Sequence, residues 1–160
     1  RYVFISTPYF MPGETTLNSL KTAAMSGVDV RLLLPHKSDS WLTHWCTRSY
    51  VEELLEAGVK IYEYTPGFVH AKVFVSDDIR GCVGTINLDF RSLYLHFECA
   101  AFLYQVEEIA EIEKDFQRTL EKCQEVTLEN RKKGTFFLRL EGWLLKMLVG
   151  KMLRLIAPLM

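Results

Sequence analysis

No two cysteines in this chain lie close together. Cys46, Cys82, Cys99 and Cys123 are widely spaced and contain no C-x-x-C pair, which argues against a zinc site and against a disulfide framework. Reduced, mostly buried thiols are expected instead, with no metal bound. An initiator methionine and a signal peptide are also missing. The chain opens on Arg1 and runs straight into apolar residues 2–5, which reads as a piece cut from a longer protein. Basic residues are scarce through most of the length. Residues 1–130 hold 12 Lys/Arg against 19 Asp/Glu, a net charge of −7, and an acidic body of this kind is a poor match for a nucleic-acid groove. The last 30 residues reverse the sign, with seven basic residues against Glu141 alone, net +6. The charge break divides the chain into a body, residues 1–130, and a basic tail, residues 131–160.

The body has the composition of one globular domain. Of the 160 residues, 49% are hydrophobic and 24% charged, enough to bury a core. The segment "RYVFISTPYF" reads as a strand stopped at Pro8, and the turn at residues 11–13 leads into a helix capped by Thr15 or Thr16 and closed by Gly27. "VDVRLLLP" is a strand covered on both faces, "WLTHWCTRSYVEELLEAG" a helix ending at Gly58, and "VKIYEYTPG" another strand. This β-α-β-α-β order predicts parallel strands with right-handed crossovers. The pattern then changes. "HAKVFVSDD" and "GCVGTI" are too close for a helical crossover and predict an antiparallel hairpin, "HFECAAFLY" adds a strand, and residues 105–129 read as an amphipathic helix. The expected fold is α/β, a mixed sheet flanked by helices.

Within "HAKVFVSDD", period-two geometry puts His70, Lys72 and Phe74 on one face and Ala71, Val73 and Val75 on the other. Taken alone, this fits a hydrogen-bonded core histidine beside an edge-strand lysine as well as it fits a reactive pair. The surrounding residues add more: Asp77 completes H-x-K-x4-D, "GTINLDFRS" supplies G-T-x-N, and "HFE" places an acid on a further strand.

With these residues the sequence closely resembles the phospholipase D superfamily, and within it the bacterial cardiolipin synthases. "STPYFMP", "GVDVRLLLP", "YVEELLEAGVKIYEY", "PGFVHAK" and "GTINLDFRS" carry the resemblance continuously over roughly residues 1–104. It implies a phospholipase D-like half domain that transfers a phosphatidyl group between two phosphatidylglycerol molecules, giving cardiolipin and glycerol through a phosphohistidine. No cofactor or metal is implied. His70, or its counterpart in a second half, would attack phosphorus while the other histidine handles the proton. Imidazole suits either task near neutrality. Lys72 would hold a phosphate oxygen, Asn87 and Thr85 would bind the substrate phosphate, and Glu98 would fix the histidine tautomer. Asp77 belongs to the signature but starts a turn, where a structural role is equally expected.

Other residues have quieter readings. His36 and His44 are expected to be ordinary polar positions, and His96 stands where cardiolipin synthases usually show asparagine. Asp89 and Arg91 are expected to be a salt-bridged support for the phosphate loop, with direct headgroup contact as the alternative, and Tyr9 and Phe10 to line a lipid channel or join the core. Only one H-x-K is present. The expected partner is therefore an N-terminal half carrying the other motif, or a second copy of this chain in a homodimer.

The tail is long enough to cross a bilayer, but Lys146 and Lys151 would lie deep within it. Helical spacing gathers Arg139, Lys146 and Arg154 on one side and Leu145, Leu148, Val149, Met152 and Ile156 on the other. This predicts an interfacial amphipathic helix, anchored by Trp143 on an anionic surface of the bacterial cell membrane, with a helix docked on the missing half or on a partner as the alternative. Two further functional readings stand beside the first. One is hydrolysis by a phospholipase D or nucleic-acid phosphodiesterase; the other is a catalytically silent membrane-binding module.

Overall fold

The computed structural model describes residues 1–129. Its centre is strand β1 (Tyr2–Ser6), whose apolar residues alternate between the two faces of the sheet. Ile5 faces the cluster that also holds Leu17, Leu32, Leu34, Val51, Leu54 and Ile61, whereas Phe4 faces Leu33, Val75, Ile109 and Phe116. A short strand β2 (Phe10–Met11) and helix α1 (Glu14–Met25) follow, then β3 (Asp29–Pro35), helix α2 (Trp41–Glu56) and β4 (Lys60–Tyr64). β1, β3 and β4 run parallel in consecutive register, as the alternation of strands and helices predicts. Leu32, Leu33 and Leu34 are all buried, since both faces of β3 are covered.

β5 (Val73–Ser76) pairs antiparallel with β1, and β6 (Arg80–Gly84) pairs antiparallel with β5. Their hairpin turns through Asp77 and Asp78, both at positive φ, with Ile79 N–H donating to the Ser76 carbonyl at 3.1 Å. After β7 (Leu88–Asp89) and the short helix α3 (Phe90–Tyr94) comes β8 (Ala100–Tyr104), then helix α4 (Glu108–Leu120) and β9 (Cys123–Val126). The main sheet has the order β8-β6-β5-β1-β3-β4-β9, and β2 and β7 form a separate parallel pair. Helices α1 and α2 cover one face and α4 the other. This is the expected mixed α/β sheet flanked by helices.

Several local expectations are corrected. α1 begins at Glu14 with Gly13 as its N-cap, one turn position ahead of the threonines. The amphipathic helix stops at Leu120, and β9 pairs antiparallel with β4. Cys123 packs on one core cluster and Val126 on the other, so this four-residue strand satisfies the open edge of β4. Most consequentially, β5 starts at Val73, leaving His70 and Lys72 on the loop that leads into it. The four cysteines are free thiols, but only Cys46 is fully buried and Cys99 is exposed. The basic amphipathic tail, residues 131–160, lies outside the described residues.

Candidate active site

Sheet register gathers most of the motif residues at one edge. Ser6, at the end of β1, pairs with Val73, which pairs with Val83; Gly84 in turn pairs with Ala100. The segments around Thr7, Lys72, Thr85 and Glu98 therefore emerge side by side, at the carboxyl ends of the parallel strands where open α/β sheets collect ligands. Asp77 is at the other end of β5, where the register pairs Ser76 with Val3. Five extended residues separate it from Lys72, roughly 17 Å. Its Oδ1 accepts from the Tyr2 backbone N–H at 2.7 Å, so it clips the hairpin to the start of β1. Asp77 therefore lies at the end of β5 remote from the cleft and has the turn contact that was one of the two roles expected of it.

Two segments far apart in sequence form the floor. Thr7 is fully buried; its hydroxyl donates to the Tyr9 carbonyl at 2.8 Å and accepts from Leu88 N–H at 3.2 Å. Phe10 N–H donates to the Thr47 hydroxyl at 3.2 Å. The Thr7 bonds hold β2 against β7, with Phe10 opposite Leu88 and Met11 opposite Asp89, and Thr47 ties β2 to α2. Above them opens a cleft of about 440 Å³ whose wall includes Tyr9, Asn87, Arg91, Ser92, His96 and Glu98. Tyr9 and Phe10 divide the two roles expected of them, since Phe10 is fully buried in the core and Tyr9 lines the cleft. The Tyr9 hydroxyl donates to Asp39 Oδ2 at 2.6 Å, which pushes the phenol up to about 12 and lowers the Asp39 carboxyl.

A hydroxyl network fixes the acid. Glu98 accepts from the Thr85 and Ser92 hydroxyls, and these two bonds lead the depression of its pKa, with His96 and Lys72 adding to it. Asn87 Nδ2 donates to Ser92 Oγ at 3.2 Å, and the buried Asn87 Oδ1 has no partner among the described residues. Thr85 is itself held by Cys99, whose N–H donates to Thr85 Oγ1 at 3.0 Å and whose carbonyl accepts from Thr85 N–H at 2.9 Å. The close approach of these two strands requires Gly84, because a Cβ there would fall 2.5 Å from both Cα and Cβ of Ala100. Lys72 is almost fully buried, and its ammonium donates to the His70 carbonyl at 2.8 Å. Burial lowers its pKa, while the carboxylates of Glu98 and Asp89 act in the opposite sense.

His70 stands apart from this network. Its exposed ring lies 5.4 Å from Phe68 and edge-on to Tyr9 at 6.2 Å, centroid to centroid. The expected His70–Glu98 hydrogen bond is absent among the described residues, because His70 precedes the strand and period-two facing does not apply to it. The nearest imidazole to Glu98 is His96, with Nδ1 at 3.6 Å from Oε1. Asp89 is also corrected: its side chain caps α3 by accepting from Ser92 N–H at 2.7 Å, and no Asp89–Arg91 ion pair occurs among the described residues. His36 pairs with Glu63 at 2.7 Å, away from the cleft, and His44 lies on α2. Sequence reasoning missed Thr7, Thr47, Ser92 and Asp39. A hydroxyl carries no signal of which distant segment it will meet.

A family profile described as "Cardiolipin synthase, PLD-like domain" matches residues 1–120. The chain belongs to this family. Among cardiolipin synthase relatives, cardiolipin synthase 2 of Bacillus anthracis is 42% identical over 158 residues, 99% of this chain and 29% of that protein. The cardiolipin synthase of Geobacillus kaustophilus is 44% identical over 140 residues, 88% of this chain and 28% of that protein. The chain thus spans about a third or less of the curated relatives it matches. Solved structures share the phospholipase D fold at low identity. Nuc from Salmonella typhimurium, a phospholipase D family member, superposes with a TM-score of 0.69 at 13% identity over 79% of this chain and 82% of its own. The phosphatidylserine synthase of Haemophilus influenzae does so at 0.70 and 16% identity over 98% of this chain and 40% of its own.

Proposed function

We propose that this chain is the C-terminal half of a membrane-associated cardiolipin synthase that transfers a phosphatidyl group from one phosphatidylglycerol to the hydroxyl of another. Family membership over residues 1–120 carries the reading, and the convergence of Lys72, Thr85, Asn87 and Glu98 at one sheet edge agrees with it. In the first step, His70 or the histidine of the missing half attacks phosphorus. A P–N bond forms, the P–O bond to glycerol breaks, and the other histidine gives its proton to the departing glycerol oxygen. In the second step that histidine takes the proton of the acceptor hydroxyl, which attacks phosphorus and breaks the P–N bond. Cardiolipin leaves and both imidazoles return to their starting states.

Lys72 holds a non-bridging phosphate oxygen as a fixed charge. Glu98 keeps that buried ammonium protonated and anchors the Thr85 and Ser92 hydroxyls. Asn87 completes the phosphate contacts by turning its amide from Ser92 toward the substrate. The second histidine comes from an N-terminal half or from a second copy of the chain, and the exposed apolar side chains Phe97, Phe102 and Tyr104 around β8 provide a surface for either. The basic tail, residues 131–160, brings the catalytic body, residues 1–130, to phosphatidylglycerol by lying on the anionic surface.

The test is the full two-motif protein, supplied with labelled phosphatidylglycerol in vesicles. The expected products are cardiolipin and free glycerol, lost on His70→Ala. Phosphatidic acid as the sole lipid product would replace transfer with hydrolysis.

A further inference from the structure

We infer that Arg91 and His96 form a second anion subsite on the wall of the cleft, and that it takes the phosphodiester of the lipid whose hydroxyl accepts the phosphatidyl group. This rests on the transfer reading above and names how the acceptor is chosen. Both side chains are exposed and line the cleft together with Glu98 and Ser92. Lys72, by contrast, is buried, bonded to the His70 carbonyl and electrostatically matched to Glu98 and Asp89. Lys72 is therefore set deep, whereas Arg91 and the His96 imidazole are open to solvent.

The position of Arg91 is fixed from two sides. Asp89 pairs with Met11 in the β2–β7 ladder and caps α3, so the helix that carries Arg91 cannot rotate without losing both restraints. Arg91 has no ion-pair partner among the described residues, because Asp89 is engaged by Ser92 N–H and Glu98 by two hydroxyls. Its guanidinium fork is therefore available for a phosphodiester, which it matches with two parallel hydrogen bonds. His96 Nδ1 faces Glu98 at 3.6 Å, so the other ring nitrogen points away from that carboxylate.

The chemistry of the acceptor calls for such a subsite. In phosphatidylglycerol the terminal hydroxyl oxygen is five bonds from its own phosphorus, roughly 6 Å when extended. When that hydroxyl reaches the phosphorus held by Lys72, a second negative charge lies within roughly 6 Å of it, and the cleft of about 440 Å³ lined by Arg91 and His96 adjoins Lys72 through their shared neighbours Glu98 and Asp89. The body around it carries net −7 over residues 1–130 and repels the newcomer unless local cations compensate. Water and neutral alcohols need no such site, so Arg91 and His96 would favour the lipid acceptor over them.

The experiment follows two reactions of the full two-motif enzyme on the same phosphatidylglycerol vesicles: cardiolipin formation, and incorporation of labelled free glycerol into phosphatidylglycerol. The second uses the same donor step with an uncharged acceptor. Arg91→Gln is expected to lower the ratio of cardiolipin to glycerol exchange about tenfold, and Arg91→Lys by less because charge remains without the fork. His96→Asn in the Arg91→Lys background should lower the ratio again. Equal loss of both reactions would assign Arg91 to the donor phosphate or to the fold, and an unchanged ratio would remove it from recognition; either overturns the subsite alone. A wild-type enzyme yielding only phosphatidic acid would overturn the transfer reading and the subsite with it.

Discussion

Lys72 is an ammonium held mostly out of water, and its protonation should govern the alkaline limb of activity. Burial lowers its pKa, and the Glu98 and Asp89 carboxylates raise it back in part. A phosphate-binding lysine must be charged, so transfer should fail at a pH below that at which an exposed lysine titrates, about 10.4. Lys72→Arg should move the limb to higher pH, since guanidinium does not titrate there, whereas Glu98→Gln should move it lower by removing the main counter-charge. A pH–rate profile of cardiolipin formation reads both shifts, and a limb unmoved in Lys72→Arg would assign it to another group. The same shift acts on stability. A lysine whose folded pKa is depressed costs stability in full below that folded value, and the cost is relieved as pH rises from there to the unfolded value. Residue identities in this site were legible in the sequence: Lys72, Thr85, Asn87 and Glu98 stand at motif spacing and emerge at one end of the sheet, with Asn87 and Glu98 lining the cleft itself. Their partners were less so. The expected His70–Glu98 bond presumed a strand starting three residues early, and the Ser92 and Thr85 hydroxyls that hold Glu98 were chosen by tertiary apposition.

At the level of elements, the cleft depends on the two-residue strands β2 and β7, paired along their backbones and bridged by the buried Thr7 hydroxyl. Thr7→Val keeps the shape but leaves Leu88 N–H and the Tyr9 carbonyl without their partner. The expected cost is roughly 1–3 kcal/mol, read as a lower urea midpoint at unchanged slope, with a larger fractional loss of activity because Tyr9 and Asn87 flank the joint. A variant as stable as the parent would show that the ladder closes without Thr7. The long elements were readable from pattern: three leucines in a row mark a strand covered twice, and Gly27 and Gly58 end their helices at positive φ. β2, β7, α3 and β9 were not, since segments of two to five residues are too short to display a period. Of these, β9 was absorbed into an adjoining helix because its preference for extension is decided by the unpaired edge of β4.

Across the whole molecule, one edge of the main sheet is closed by β9 and the other ends at β8, where Phe102 and Tyr104 remain exposed and Phe97 lies just ahead. Large apolar side chains grouped on an edge strand mark an interaction surface and an aggregation hazard together. Phe102→Asp should leave the isolated chain folded, with an unchanged thermal midpoint, yet reduce its association with itself or with the N-terminal half in sedimentation experiments over a range of concentrations. Unaltered association would place the interface elsewhere. The hydroxyl of Thr7 also has a temporal meaning. The bond it accepts comes from Leu88, 81 residues further along the chain, and the acid at Glu98 follows later still. Contacts of such separation form only after the loop between them has been closed. A ribosome has therefore delivered nearly the entire body before the cleft can exist, and a nascent chain shorter than that carries the motif residues without the site.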